Sequence, residues 1–486
     1  MAIQHSRSNR YQGSFEWMWV RPLESPTEIF TRLLKARYLM SVKFLHTADL
    51  HLGSPLDGLG AANPDLQQDL RAATYDAFRR LVDVAIQEAV EFVVVSGDLY
   101  DRESRSVRAN QFAAEQFSRL DEANIPVYLV YGNHDPVESG IEFVDLPANV
   151  HEFPADSPGS VIHETDGTER ACLCGQSYRR KAESRAFHTE YEPADPSLPT
   201  IGLLHTALDP GSDRYVPSDV ASLRDRQEFD YWALGHIHDP RIEHRNPTIA
   251  YPGIPQGRHI NEAGLRGAYL VDLSMDGQAA LEFVPTGQII WREESVSIGT
   301  ATDDRSEPPD SVATLRERIE DRLFDLEPTP SDLTLDIPVR ESDWTPVGVM
   351  CRWILTGRGQ AHDLLTADAD TLEVLRSELR TRYDTRSPYV WTEAIRARTG
   401  PPLPPLEEIQ DDPIFERFEE TVDEIRTDPA LRAHLLDEEL GTVCVRDDGS
   451  EAERPTRLEL TDADMDRMID RAAELVLDEL RARRVE

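Results

Sequence analysis

Five short motifs place side chains that can bind metal ions directly after apolar runs of the chain. In chain order the motifs are D-x-H, G-D, G-N-H-D, a single His and G-H-x-H. Their candidate functional residues are Asp49, His51, Asp98, Asn133, His134, His205, His236 and His238. A single histidine after a strand is usually structural. Five histidines in this order, with two aspartates and an asparagine, instead predict a metal site.

The residue types suit a pair of divalent cations. Two ions roughly 3.5–4 Å apart can clamp a phosphate and activate water near neutral pH. Asp98 can bridge them with its two carboxylate oxygens, and Gly97 suits a sharp turn of the backbone beside it. The mixture of imidazoles and hard oxygens favours Mn²⁺, Fe²⁺ or Zn²⁺ over Ca²⁺. In D-x-H and H-x-H, an extended backbone would point alternate side chains the same way, toward the ions.

The surrounding pattern predicts the elements that position these residues. The apolar runs 92–95, 127–130 and 201–204 are typical of strands buried on both faces, and residues 65–90 and 107–122 have helical spacing. This alternation predicts a layered α/β core, a β-sandwich flanked by helices, with the motifs at the carboxyl ends of strands. The later runs AYLVDL and ALEFV are expected to form strands of a second sheet.

Composition shifts predict four parts of the chain. Residues 1–39 form an N-terminal extension; a genuine segment and a mis-assigned start upstream of Met40 both stay open. A domain that carries the metal motifs is expected over 40–298, a small α+β capping domain over 312–399 and a helical C-terminal region over 408–486. The acidic stretch near 300–311 and the proline-rich run at 400–408 are the expected linkers.

Charge and composition exclude several classes of protein. The chain has 486 residues, 90 Asp and Glu against 51 Lys and Arg, and a formal net charge of −39. That charge excludes a broadly basic protein that coats nucleic acid, but not a nuclease with a locally positive face. None of the three lysines follows a glycine, as a P-loop requires, so any ATP-driven step belongs to another polypeptide. Four cysteines and no long apolar stretch favour a cytoplasmic protein without a membrane partner.

The ordered motifs resemble the calcineurin-like metallophosphoesterase superfamily over about residues 42–290. The resemblance implies two divalent ions, with Mn²⁺ expected. It implies that one ion is held by Asp49, His51, Asp98 and His238, and the other by Asp98, Asn133, His205 and His236. It further implies that His134 is a catalytic residue rather than a ligand, which stabilises the transition state or protonates the leaving oxygen.

Narrower features resemble one branch of that superfamily. The opening FLHTADLHLGSPL is similar to nuclease subunits of the SbcD type, and YPGIPQGRHINEAGLRGAYLVDL to DNA repair exonucleases of the YhaO type. This resemblance implies a DNA exonuclease of double-strand-break repair, a separate SMC-like ATPase partner and a homodimer. Arg102 and Arg258 are candidate contacts to DNA phosphates, and pairing with nearby carboxylates is the alternative.

Two other functions stay open. The first is a phosphatase or phosphodiesterase for nucleotides or other small phosphoesters, because the metal core alone does not select a substrate. The second is a scaffold that recruits an ATPase, with catalysis incidental. An open groove and activity on duplex ends would indicate the nuclease, whereas a closed pocket and hydrolysis of mononucleotides would indicate the small-molecule enzyme.

Overall fold

The computed structural model describes residues 41–57, 64–101, 106–139, 145–299 and 308–323, most of 326–402, residues 413–428 and short stretches after them. Over this part of the chain, no helix has both the length and the apolar character that crossing a membrane requires. The predicted N-terminal extension lies outside the described residues.

Strands and helices alternate through the first half of the chain. The strands are β1 (Ser41–Thr47), β2 (Phe92–Ser96), β3 (Val127–Val130), β4 (Val150–Glu152), β5 (Gly159–Thr165), β6 (Thr168–Gly175), β7 (Thr200–His205), β8 (Tyr231–Gly235), β9 (Arg241–Arg245), β10 (Thr248–Tyr251), β11 (Gly267–Ser274), β12 (Ala279–Pro285), β13 (Ile289–Ser297), β14 (Gly348–Arg358), β15 (Tyr389–Gly400), β16 (Cys444–Arg446) and β17 (Leu458–Leu460). The α-helices are α1 (Pro64–Gln87), α2 (Val107–Glu122), α3 (Val220–Arg224), α4 (Val312–Leu323), α5 (Ala361–Ala367), α6 (Thr371–Tyr383) and α7 (Pro413–Thr427).

Two six-stranded sheets form the core. The first has the order β12-β11-β1-β2-β3-β4 and the second β5-β6-β7-β8-β10-β9. Their facing sides pack Phe44 and Phe92 of the first sheet against Tyr231 of the second, and the Phe44 ring lies 5.3 Å from the Tyr231 ring, edge to face. The predicted layered α/β core is therefore confirmed.

Helices α1 and α2 cover the outer face of the first sheet. The Ser106 hydroxyl accepts a hydrogen bond from the Ala109 N–H at 3.1 Å and caps α2. The helix then buries Ala109, Ala113 and Phe117 at four-residue spacing. The sequence predictions of both helices are confirmed.

One strand assignment is wrong. AYLVDL and ALEFV lie in β11 and β12, and these strands belong to the first sheet, because β11 pairs antiparallel with β1. The second sheet is built from segments earlier in the chain. Alternation of apolar residues indicates a strand, but the partner depends on packing between distant segments, which a local pattern does not contain.

A third, three-stranded parallel sheet follows the core in the order β13-β14-β15. Strand β13 precedes the predicted linker yet pairs with β14 in register, Ile289 opposite Gly348. One set of side chains of this sheet, including Met350 and Trp391, packs in a cluster with Trp291 and with Leu66 of α1. This contact places the sheet against the segments that surround the candidate site.

The C-terminal region is described only in part. Helix α7 lies in the predicted helical C-terminal region, while residues 403–412, which include most of the proline-rich linker, fall outside the described residues. A short parallel pair, β16–β17, lies between residues 413–440 and 461–485, the two segments of this region whose spacing predicts helices. The domain boundaries stay predictions.

Candidate metal centre

The carboxyl ends of strands from both sheets meet at one crevice. The loops after β1, β2 and β3 supply residues of the first three motifs, while His205 ends β7 and the G-H-x-H motif follows β8. All eight candidate residues lie in this one place, as the contacts below establish. Ligand sites are expected at such strand ends in α/β sheets.

The backbone of the first two motifs differs from the extended form that the sequence suggested. Asp49, His51 and Asp98 have φ of 53°, 44° and 53°, in the left-handed region, and His236 has φ of 104°. The expectation of alternating side chains on extended backbone is therefore wrong for D-x-H. Instead the two loops run side by side, because the Asp49 and His51 N–H groups donate to the Gly97 and Asp98 carbonyls at 3.0 Å. Backbone strain of this kind is common at functional sites.

Glycines allow the loops to approach this closely. A Cβ added to Gly97 would lie 2.2 Å from the His205 Nδ1, and one added to Gly132 would lie 2.3 Å from an Asp98 carboxylate oxygen. A Cβ at Gly235 would lie 1.8 Å from the Ser96 carbonyl oxygen. The absence of a side chain at these three glycines therefore allows the strand ends to pack this closely.

Replacing Gly235 by Ala is expected to destabilise the fold by about 3 kcal/mol, because the methyl group meets backbone that cannot rotate away. Urea denaturation of the metal-free chain measures the loss. Gly211→Ala is the matched control, since its added Cβ meets only the Asp209 side chain at 3.5 Å. Equal stability of the two variants would contradict the packing described here.

A first cluster of donors contains Asp49, His51 and His238, with one ligand atom from each within 4.8 Å of the others. The Nε2 atoms of His51 and His238 lie 3.3 Å apart, and the His238 Nε2 lies 3.9 Å from an Asp49 oxygen. The His51 Nε2 is also 3.9 Å from Asp98. Asp98 thus borders this cluster as well as the next.

A second cluster contains Asp49, Asp98 and His205. The His205 Nε2 lies 3.4 Å from an Asp98 oxygen and 2.9 Å from the Asn133 side-chain oxygen. The His236 Nδ1 lies 3.1 Å from the same Asn133 oxygen. His205 is held by its Nδ1, 2.9 Å from the Ser96 carbonyl, which leaves Nε2 toward the cluster.

The electrostatics of the two clusters fit divalent cations. Asp49 and Asp98 are buried, and their ion-pair contacts in the described residues are with histidines. Burial raises the pKa of Asp49, and although burial alone would do the same to Asp98, His205 holds the pKa of Asp98 well below its ordinary value. Burial opposes charge on His205, yet Asp98 raises its pKa to about 9. These buried carboxylates favour a protonated histidine beside them. Bound cations would neutralise the same negative charge in its place.

His134 lies beside both clusters without belonging to either, and with His51 and Asp101 it forms a third group whose potential ligand atoms lie within 4.8 Å of one another. The backbone N–H of His134 donates to an Asp98 carboxylate oxygen at 2.8 Å, and its ring Nδ1 lies 2.6 Å from an Asp101 oxygen. The hydrogen bond with Asp101 raises the pKa of His134, and the side chain is 39% exposed. His134 therefore combines a fixed ring with access from solvent, which suits a group that meets a substrate.

Sequence reasoning missed Asp101, Glu262 and Arg266. Asp101 contacts His134 and accepts a hydrogen bond from the Ser54 hydroxyl at 3.0 Å. Glu262 lies 2.7 Å from the His238 Nδ1, and Arg266 donates to the His238 carbonyl at 2.8 Å. Asp101, three residues after Asp98, carried a signal in the run GDLYD. Glu262 carried none, because an acidic residue in a loop is ordinary in so acidic a chain.

The two arginines proposed for phosphate contact differ in outcome. Arg258 reaches the site, but its guanidinium lies 3.3 Å from Asp101 and 3.2 Å from Glu262, and its side chain is 14% exposed. Arg102 lies outside the described residues. Arg258 therefore has the carboxylate partners that the alternative interpretation anticipated.

Comparison with known proteins identifies the class. Residues 42–240 match the calcineurin-like phosphoesterase family. Residues 42–240 thus carry a calcineurin-like metallophosphoesterase domain, as the motifs predicted.

Particular relatives refine this class. The chain is 34% identical over 266 residues to the uncharacterized metallophosphoesterase YhaO of Bacillus subtilis (strain 168), covering 54% of this chain and 65% of that protein. It is 30% identical over 243 residues to the DNA double-strand break repair protein Mre11 of Methanocaldococcus jannaschii, covering 48% and 62%. The Thermoplasma acidophilum protein of the same name is 26% identical over 256 residues, covering 49% and 64%. The aligned segment spans less than two thirds of each relative.

Proposed function

We propose that this protein is a metal-dependent DNA exonuclease that hydrolyses phosphodiester bonds with two divalent ions, Mn²⁺ in the cell, during DNA repair in the cytoplasm. The observation that carries the proposal is the convergence of eight predicted donor and catalytic residues at one crevice. Similarity to proteins named for DNA double-strand break repair supports DNA as the substrate.

The two donor clusters divide between the two ions. Asp49, His51, Asp98 and His238 would hold one ion, and Asp98, Asn133, His205 and His236 the other. Bound there, the ions would polarise the phosphate and activate water. The protein supplies buried carboxylates, imidazoles fixed by backbone contacts and strained loops that hold the donors in place.

His134 acts on the leaving group. Its Nδ1 contact with Asp101 fixes the ring and leaves Nε2 for an oxygen of the substrate. The same contact raises its pKa, which favours the protonated ring that donation to the leaving oxygen requires. Asp101 acts as its positioning residue.

Contact with DNA depends on a few cations in a strongly acidic chain. Arg258 is the described candidate for a phosphate contact, and it must exchange part of its pairing with Asp101 and Glu262 to serve one. Arg102 stays a candidate from the sequence alone. With a net charge of −39, binding to DNA is expected to be weak and sensitive to salt unless a partner adds positive surface.

The partner is a separate SMC-like ATPase that docks on the C-terminal helical residues, and the chain forms a homodimer. Helix-in-groove docking needs apolar side chains on an accessible face. Leu475 and Val476 in that region are 56% and 47% exposed, which agrees with such docking.

Purified full chain with Mn²⁺ is expected to degrade end-labelled duplex DNA and to do so only with the metal added. Single strands, mononucleotides and a small phosphate bis-ester are compared in parallel, with and without a candidate ATPase. Hydrolysis of the bis-ester or mononucleotides with no DNA degradation, even with the ATPase present, would replace the nuclease by a small-phosphoester hydrolase. DNA degradation that persists in EDTA would contradict the metal mechanism.

A further inference from the structure

Glu262 makes an unusual set of contacts for a loop carboxylate. It is 4% exposed and ends a short 3₁₀ turn, Ile260–Glu262, between β10 and β11. One carboxylate oxygen lies 2.7 Å from the His238 Nδ1 and 3.2 Å from the Arg258 guanidinium. The other accepts the Arg258 N–H at 2.6 Å. A buried carboxylate that makes this many hydrogen bonds holds its partners in fixed positions.

The contact with Glu262 determines which nitrogen of His238 faces the donor cluster. A carboxylate partner keeps the proton on Nδ1, so Nε2 presents a lone pair. That Nε2 is the atom that lies 3.3 Å from the His51 Nε2 and 3.9 Å from Asp49. Glu262 thus selects the tautomer in which His238 can bind a cation.

Arg266 holds the backbone around the same histidine. Its guanidinium donates to the His238 carbonyl at 2.8 Å and to the Asp239 carboxylate at 2.7 Å, and its Nε donates to the Glu262 carbonyl at 3.0 Å. The ring and the backbone of His238 are therefore both held by the segment 262–266, from outside the donor clusters.

This segment is in turn tied to the third sheet. The Trp291 indole of β13 donates to the Gly257 carbonyl at 2.9 Å, and the buried Gln256 side chain donates to the Ile289 carbonyl at 2.8 Å. Gly264 N–H donates to the Trp291 carbonyl at 2.9 Å. The loop that carries Arg258 and Glu262 therefore rests on a packed strand, which limits its freedom to move.

We infer that Glu262 is a positioning residue that orients His238 for metal binding and fixes Arg258 beside the site. The inference rests on the proposed metal-dependent function. It adds a specific role: the same carboxylate orients one metal ligand, His238, and holds the Arg258 guanidinium where it can meet the substrate. Loss of a hydrogen-bond partner of this kind typically costs about 10–100-fold in metal affinity.

The test compares Glu262→Ala and Glu262→Gln in the full chain. Calorimetric titration of metal-free protein with Mn²⁺ should show affinity for one ion falling about 10–100-fold in the Ala variant. The Gln variant should lose less, because its amide oxygen still accepts from the His238 Nδ1. Glu91→Gln is the matched control, since Glu91 is also buried (8% exposed) and paired with an arginine, Arg170, but touches none of the donors.

The outcomes separate this role from the proposed function. Unchanged Mn²⁺ affinity in Glu262→Ala, or an equal loss in Glu91→Gln, overturns the inference. Thermal unfolding of each metal-free variant identifies a loss due to misfolding, and a Gln variant that folds and binds better than the Ala variant supports positioning. A wild-type chain that binds Mn²⁺ but cleaves no phosphoester contradicts the proposed function, while the Glu262 comparison still stands on binding alone.

Discussion

Replacing Asp98 by Asn is expected to abolish most hydrolysis, with kcat/KM falling at least about 10³-fold. Because Asp98 borders both donor clusters, the substitution is expected to weaken the binding of both ions at once. Metal ions contribute several kcal/mol to transition-state stabilisation, and each 1.36 kcal/mol is about tenfold in rate. Steady-state kinetics on duplex DNA and on a small bis-ester measure the loss.

The same variant has a readout that does not depend on activity. Saturation of the wild-type chain with Mn²⁺ should raise its free energy of unfolding by about 2.7 kcal/mol at 100 times the Kd. Asp98→Asn should lose most of that gain. Asp76→Asn on α1 removes the same charge from a half-exposed carboxylate paired with Arg79. This control variant should retain the full gain in unfolding free energy on Mn²⁺ binding. Full metal stabilisation of the Asp98 variant would show that this carboxylate holds no ion.

The metal motifs were predictable because they depend on residue type and order. Asp98 and His205 stand at strand ends that apolar runs mark clearly, and a parallel sheet gathers its strand ends at one edge. The loop geometry was not predictable in this way. The left-handed φ of Asp49 and His51 follows from hydrogen bonds between the two loops, and those bonds exist only when β1 and β2 are neighbours.

Residues that act through others escaped prediction for a related reason. Glu262 is 24 residues from His238 along the chain, and its contact depends on how the segment between β10 and β11 folds back. Nothing in a single acidic loop residue distinguishes this arrangement from a solvated charge. The pairing of β11 with β1 escaped on the same grounds, since it joins segments more than two hundred residues apart.

Replacing His134 by Asn is expected to lower kcat on DNA by about 10²–10⁴-fold, the usual contribution of a positioned acid or base. Mn²⁺ affinity should remain, because the Asp49–His51–His238 and Asp49–Asp98–His205 clusters keep all their donors in this variant; a loss of affinity would instead make His134 a ligand, together with His51 and Asp101. His151→Asn, at an exposed histidine on β4, is the control for loss of an imidazole outside the site.

The dependence of this loss on the leaving group decides how His134 acts. A deoxyribose oxygen of DNA departs as a poor leaving group and needs a proton, whereas a nitrophenolate departs readily without one. If His134 donates that proton, its loss should cost much more on DNA than on bis(4-nitrophenyl) phosphate. Equal losses on both substrates would instead assign it to stabilising charge at phosphorus, a role to which its contact with Asp101 is also suited. If the variant cleaved both substrates as fast as the wild-type chain, His134 would have no role in the reaction. The residues of the donor clusters would then have to account for catalysis alone.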